Sequence, residues 1–173
     1  MYYFSLGSNV GDRMARLRKA LEFLRTRGSV LAVSTVYETI PVSMGSTGNF
    51  LNAVVCLQSE IDPGAFLDGI KDFEKVEGRD PDNSHLQPRV IDIDILLADD
   101  LVLDTPKLTV PHARMCERAF VLVPLCEIGP GLFHPLRKRP FCELLEEIGD
   151  AGIVARIGPI GRPEGRSHFS SKS

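Results

Sequence analysis

Near the middle of the chain the segment PRVIDIDILL sets two aspartates, Asp92 and Asp94, one residue apart among isoleucines. Side chains alternate faces along a strand, so Ile91, Ile93 and Ile95 share one face and the two carboxylates share the other, about 7 Å apart. Like charges at that separation repel, and Asp is disfavoured in strands, so a cation is expected to compensate the pair. Hard carboxylate oxygens suit Mg2+, which binds through one or two carboxylates together with substrate phosphates. An edge strand with a wet polar face gives the same pattern, and the pair alone leaves both readings open.

The surroundings add cations. Arg79 and Arg89 bracket the polar stretch RDPDNSHLQP, which leads straight into the aspartates. Arginine forks grip phosphate in two places, and a loop of this length inside a small domain is more often functional than filler. Two solvated loop arginines remain the plain alternative. Downstream, Lys107, Thr109, His112 and Arg118 gather around LTVPH as a second polar and basic cluster. Neither GxxxxGK[ST] nor GxGxxG occurs, so an ATP site here would be built from side chains and the aspartate strand. Phe50 and Asn52 share a face by parity, offering a stacking surface beside an amide that both donates and accepts. That pair suits a purine or pterin edge, and equally a core Phe beside a capping Asn.

The elements that must position these groups follow from periodicity. Residues 2–6 read as a strand and 7–11 as a turn into a helix opening at Asp12. Its stripe is Met14, Leu17, Leu21 and Leu24, with Gly28 at the C′ position. Residues 30–39 and 50–57 are β-branched and aromatic runs, expected to pair antiparallel. Asp62 and Pro63 open a second helix with the stripe Phe66, Leu67, Ile70 and Phe73, ending at Gly78. Residues 90–98 make a central strand. The order β-α-β-β-α-β predicts an α+β, ferredoxin-like fold, with two helices on one face of a mainly antiparallel sheet. Asp99 and Asp100 are expected to turn a hairpin into residues 101–103, an extra hairpin beyond the core. Helices are expected over 117–127 and 140–148. Residues 1–160 read as one domain and 161–173 as a mobile tail.

Composition narrows the classes. The 173 residues are 43% hydrophobic and 25% charged, enough for one packed core without disulfides. A net charge of −3 speaks against a broad basic face for nucleic acid or anionic membrane. Nothing resembles a signal peptide or an apolar run of roughly 18 residues, so the expected place is the cytoplasm; the chain is also expected to be a monomer acting on small molecules. Cys56, Cys116, Cys126 and Cys142 show no CxxC pairing, which favours reduced, packed thiols over a zinc site that would include His112.

Seven segments in order, SLGSNVGD, VYETIPV, FLNAVV, EGR, PRVIDIDILL, LTVPH and ERAFVLVPLCEI, resemble the 6-hydroxymethyl-7,8-dihydropterin pyrophosphokinase family. The resemblance runs from about Phe4 to Pro130 and implies pyrophosphate transfer from ATP to a pterin hydroxymethyl group in folate biosynthesis. It further implies that Asp92 and Asp94 hold two Mg2+ ions and that Arg79 and Arg89 act on the phosphates. Lys71, Glu74, Lys107, Thr109, His112 and Arg118 match ATP-contacting positions. Thr39, Val42 (through its backbone) and Asn52 match pterin hydrogen-bonding positions, and Phe50 and Phe120 match the aromatic pair that sandwiches the ring. The rival is a non-catalytic ferredoxin-like binding module, which has no use for an acidic pair beside loop arginines. An RNA-binding version lacks the RNP-type aromatics.

Overall fold

The computed structural model describes residues 1–41, 48–78 and 90–161. The site expectations at Val42, Arg79 and Arg89 lie outside the described residues, as does the tail from 162 onward. The sheet is built around β1 (Tyr2–Ser8), which pairs antiparallel with β4 (Phe50–Gln58) on one side and β5 (Asp92–Ala98) on the other. On the far side of β4 lie β2 (Ser29–Val33) and β3 (Val36–Thr39), and β3 also pairs with β8 (Ile153–Gly158). The strand order is therefore β5-β1-β4-β3-β8, with β2 also on β4 and every pairing antiparallel. The run β5-β1-β4-β3 within it is the ferredoxin-like order, as expected.

Helices α1 (Arg13–Arg25) and α2 (Pro63–Val76) start where the capping residues indicate. Asp12 accepts the N–H of Ala15, and Asp62 accepts those of Gly64 and Ala65. Leu17, Leu21, Leu24, Phe66 and Ile70 are buried against Phe4, Leu6, Val55, Ile93 and Ile95. Helices α3 (Ala119–Ile128) and α4 (Phe141–Ile148) cover the opposite face, where Leu122, Leu125, Phe141 and Leu144 pack with Val54 and Leu96. The sheet is thus the middle of three layers.

Four expectations change. The strand expected over 30–39 is broken at Ser34 and Thr35. Buried Ser34 gives its N–H to Val54 O and takes the Val54 N–H on its hydroxyl, so the ladder continues across a one-residue irregularity. Gly7 lies inside β1 and not in a turn. Gly28 is not a left-handed helix cap: α1 ends on Thr26, and a Cβ on Gly28 would lie 2.2 Å from the Gln58 carbonyl oxygen. Its need is for close backbone approach. The turn at Asp99 forms, with φ 46° and Leu101 N–H on Ala98 O, but its chain does not return along β5. Instead β6 (Leu103–Asp104) pairs with β7 (Thr109–Val110) in a separate two-stranded hairpin. Strand β8 was not expected at all.

Two polar knots fasten the α3 layer. At the end of α3, Glu127 accepts from the Thr35 N–H and hydroxyl and from the Tyr37 hydroxyl, and Arg156 of β8 joins it at 3.3 Å. Burial pushes this carboxyl up, but the Thr35 and Tyr37 bonds outweigh it and hold it below the ordinary value. Between α3 and α4, buried His134 accepts the Leu136 and Arg137 N–H groups on Nδ1, with its ring against Phe141. All four thiols are free, two buried and two half-buried.

Gly28→Ala is expected to lower stability by about 1–3 kcal/mol, measured by denaturant unfolding, because backbone must move to admit the methyl. His134 provides a pH test. Burial first, then Arg137, holds its imidazole below 6.5. The unfolded chain therefore takes up the proton first, and stability falls as pH drops below about 6.5 toward the folded value. Between about pH 7 and pH 5, His134→Gln is expected to lose less stability than the unaltered chain.

Candidate active site

Asp92 opens β5 and stands opposite Gly7, Gly7 stands opposite Asn52, and Asn52 stands opposite Tyr37. In the next row Asp94 faces Ser5, and Ser5 faces Val54. Residues directly opposed across strands share a face, so both carboxylates and Asn52 lie on the α3 side. Ile91, Ile93 and Ile95 are buried on the α1 and α2 side, which agrees with the parity argument. Asp92 is 9% exposed, whereas the Asp94 side chain is 33% exposed, so the pair runs from the interior toward the mouth.

Cations and bonds surround the pair. Arg118, the residue before α3, places Nη1 3.7 Å from Asp94 Oδ2, and His112 places Nε2 3.9 Å from the same oxygen. The His112 backbone N–H is bonded to Leu96 O on β5, and its Nδ1 accepts the Arg114 N–H, which leaves Nε2 turned to the carboxylate. Burial, and then the Arg118 charge, holds this imidazole below its ordinary value. Among the described residues no group of three or more His, Cys, Asp or Glu side chains is placed to hold a metal alone. Two carboxylates on one face fit a Mg2+ site whose remaining ligands come from a substrate and water.

Glu74 has a role its spacing did not indicate. It is a buried carboxylate on α2, and its Oε1 accepts the Ile93 N–H at 2.8 Å. Ile93 lies between the two aspartates on the outermost strand, so the bond fixes the strand that carries them. The Ser8 hydroxyl donates to Val90 O at 2.6 Å, gripping the same strand one residue before Ile91. Lys71 lies exposed one turn earlier on α2, and Lys107 is exposed in the β6–β7 turn. Thr109, half-buried in β7, donates its hydroxyl to Asp104 at 3.1 Å.

The heterocycle expectation centres on β3 and β4. Asn52 Nδ2 donates to Thr39 Oγ1 at 2.7 Å, and both residues are buried. Phe50 lies on the same face, opposite Thr39. Phe120, on the first turn of α3, is half-buried in the α3 core, with the Arg118 guanidinium 5.6 Å from its ring centre. Arg118 thus lies between the carboxylate end and the aromatic end. Arg13 was not singled out by motif; it bonds Glu38 at 2.8 Å and Asn49 O at 2.7 Å, tying together the two ends of the β3–β4 connection.

This arrangement belongs to the class of ferredoxin-like α+β domains with an acidic, cation-flanked site at one end of the sheet. A sequence model described as 7,8-dihydro-6-hydroxymethylpterin-pyrophosphokinase (HPPK) matches residues 3–130, and the chain belongs to that family. A 2-amino-4-hydroxy-6-hydroxymethyldihydropteridine pyrophosphokinase of Aquifex aeolicus is 41% identical over 145 residues, 84% of this chain and 90% of the relative. The Bacillus subtilis protein of the same name is 41% identical over 128 residues, 73% of this chain and 76% of its own. Among solved structures, wild-type HPPK-DHPS of Plasmodium falciparum with pteroate superposes with a TM-score of 0.69 at 17% identity. That match covers 84% of this chain and 42% of the longer Plasmodium chain, and it bears on the fold.

Glu74→Ala is expected to cost about 1–3 kcal/mol in denaturant unfolding, because it strands the buried Ile93 N–H. Glu74→Gln keeps an acceptor and is expected to retain most of that stability.

Proposed function

We propose that the chain transfers the pyrophosphoryl group of ATP to 6-hydroxymethyl-7,8-dihydropterin, giving the pterin diphosphate and AMP in folate biosynthesis. The observation that carries this is the row Asp92, Gly7, Asn52, which sets a carboxylate end and an amide end on one face, two strand spacings or about 10 Å apart. A flat heterocycle at the amide end directs its hydroxymethyl oxygen toward phosphates at the carboxylate end. That oxygen bonds to the β-phosphorus and loses its proton, the bond from the β-phosphorus to the oxygen bridging it to the α-phosphorus breaks, and AMP departs with that oxygen.

The chain's own groups position and neutralise. Asp92 and Asp94 hold two Mg2+ ions, which when bound offset phosphate charge. Arg118 and His112 flank Asp94, and in this reading they contact the nucleotide together with Thr109, Lys107, Lys71 and Glu74. Asn52, Thr39 and the Val42 backbone bond the pterin edge, between the rings of Phe50 and Phe120. Arg79 and Arg89 bring charge to the transferring group, in a reaction that needs positioning and charge balance more than covalent help. The reading includes a monomer working in the cytoplasm. Among the described residues no helix is long and apolar enough to cross a membrane.

The test is nucleotide release with the pterin and with simple alcohols as acceptors. AMP with the pterin alone is expected; ADP, or equal release with any alcohol, overturns the reading. Asp92→Ala and Asp94→Ala are each expected to lower kcat about 10²–10³-fold, as removal of transition-state charge stabilisation does. Arg89→Ala is expected to lower kcat with a smaller change in KM. Unaltered turnover in either aspartate variant removes the pair from the mechanism.

A further inference from the structure

We infer that Gly7 determines substrate specificity, because its missing side chain leaves the floor over which the one-carbon arm between heterocycle and phosphate must lie. The inference rests on the pterin reading above. Gly7 is the sixth of seven residues in an interior strand of the sheet, where glycine is unfavourable and commonly marks the close approach of a ligand or another backbone. Its backbone does not call for glycine: among the described residues the positive-φ glycines are Gly11, Gly78, Gly149, Gly152 and Gly158. The reason is therefore space.

That space has a definite place. A Cβ on Gly7 would meet Asn52 Oδ1 at 3.1 Å and the Phe50 ring edge at 3.8 Å, so it would rise on the site's face. Asn52 has little room to withdraw, since it is buried and bonded to buried Thr39. On its other side Gly7 is opposite Asp92. Alternate residues of β1 on this face taper from Tyr3 through Ser5 to Gly7, and only the last stands between the amide and the inner carboxylate. An acceptor with its ring at Asn52 and its reacting oxygen near Asp92 must carry its exocyclic carbon across this strand. The chemical class that fits is a planar heterocycle bearing a primary alcohol on a single carbon.

Gly7→Ala places a methyl where that carbon passes. Its kcat/KM for 6-hydroxymethyl-7,8-dihydropterin is expected to fall about 10-fold or more, the usual effect of one misplaced methyl group in a pocket. Affinity for unsubstituted pterin, which lacks the arm, is expected to fall less. Affinity for a nonhydrolysable ATP analogue with Mg2+ is expected to stay at the unaltered level. Equal losses for the two pterins, unchanged kcat/KM, or parallel loss of nucleotide binding each overturn the inference. Absence of AMP release by the unaltered chain would instead sink the pterin reading on which it stands.

Discussion

The mutual repulsion of Asp92 and Asp94 is the constraint to which the surrounding structure answers. A strand carrying two carboxylates on one face holds its shape only if its other face and its backbone are anchored independently of them. Ile91, Ile93 and Ile95 supply the first anchor by burial beneath α1 and α2. The Ser8 hydroxyl on Val90 and the Glu74 carboxylate on the Ile93 N–H supply the second. Glu74 brings a third acidic group to the neighbourhood, which strengthens the demand for cations that Arg118 begins to meet around Asp94, with the His112 ring turned to the same oxygen. Divalent ions arriving with a nucleotide would complete that balance.

The antiparallel sheet turns this local requirement into a measured site. Because β1 lies between β4 and β5, groups on these two neighbours are separated by a fixed two spacings and held on one face by register. The α1 and α2 layer closes one side with apolar packing. The α3 layer closes the other incompletely, leaving Phe50, Phe120 and Asp94 half-covered around the mouth. Rigidity thus comes from the strands, and access comes from the side where the helix layer stops short.

Local chemistry made the core elements legible in sequence. Asp12, Asp62 and Pro63 marked helix starts through capping, and the isoleucine and aspartate alternation in β5 gave the faces correctly. What escaped depended on distant partners. The break at Ser34 exists because a hydroxyl replaces a ladder bond to Val54, twenty residues away, and nothing in the run 30–39 signals it. Gly28 looked like a helix cap, yet its small size answers to Gln58 in another strand. Gly7 looked like turn chemistry, although it is a strand residue. Strand β8, with Arg156 and Gly158 among its six residues, lacks the clean alternation that identified β5. Within the site, the aspartate pair was readable from parity and the Phe50 and Asn52 face was suggested by it. The identity of the pterin and ATP contacts came only from resemblance. Glu74 was assigned toward the nucleotide, while its bond to Ile93 required the packing of α2 on β5.

The knot of Glu127 with Thr35, Tyr37 and Arg156 has a reach beyond its own surroundings. It grips α3 at its last turn, while Phe120 and the preceding Arg118 stand at the first, roughly 10–13 Å along the axis. A rod held at one end behaves as a lever: a small tilt at the grip becomes a larger displacement at the tip. Sequence drift at position 35, in the break between β2 and β3, or at position 156, on β8, can therefore retune how tightly the aromatic wall closes without altering any residue that meets a substrate.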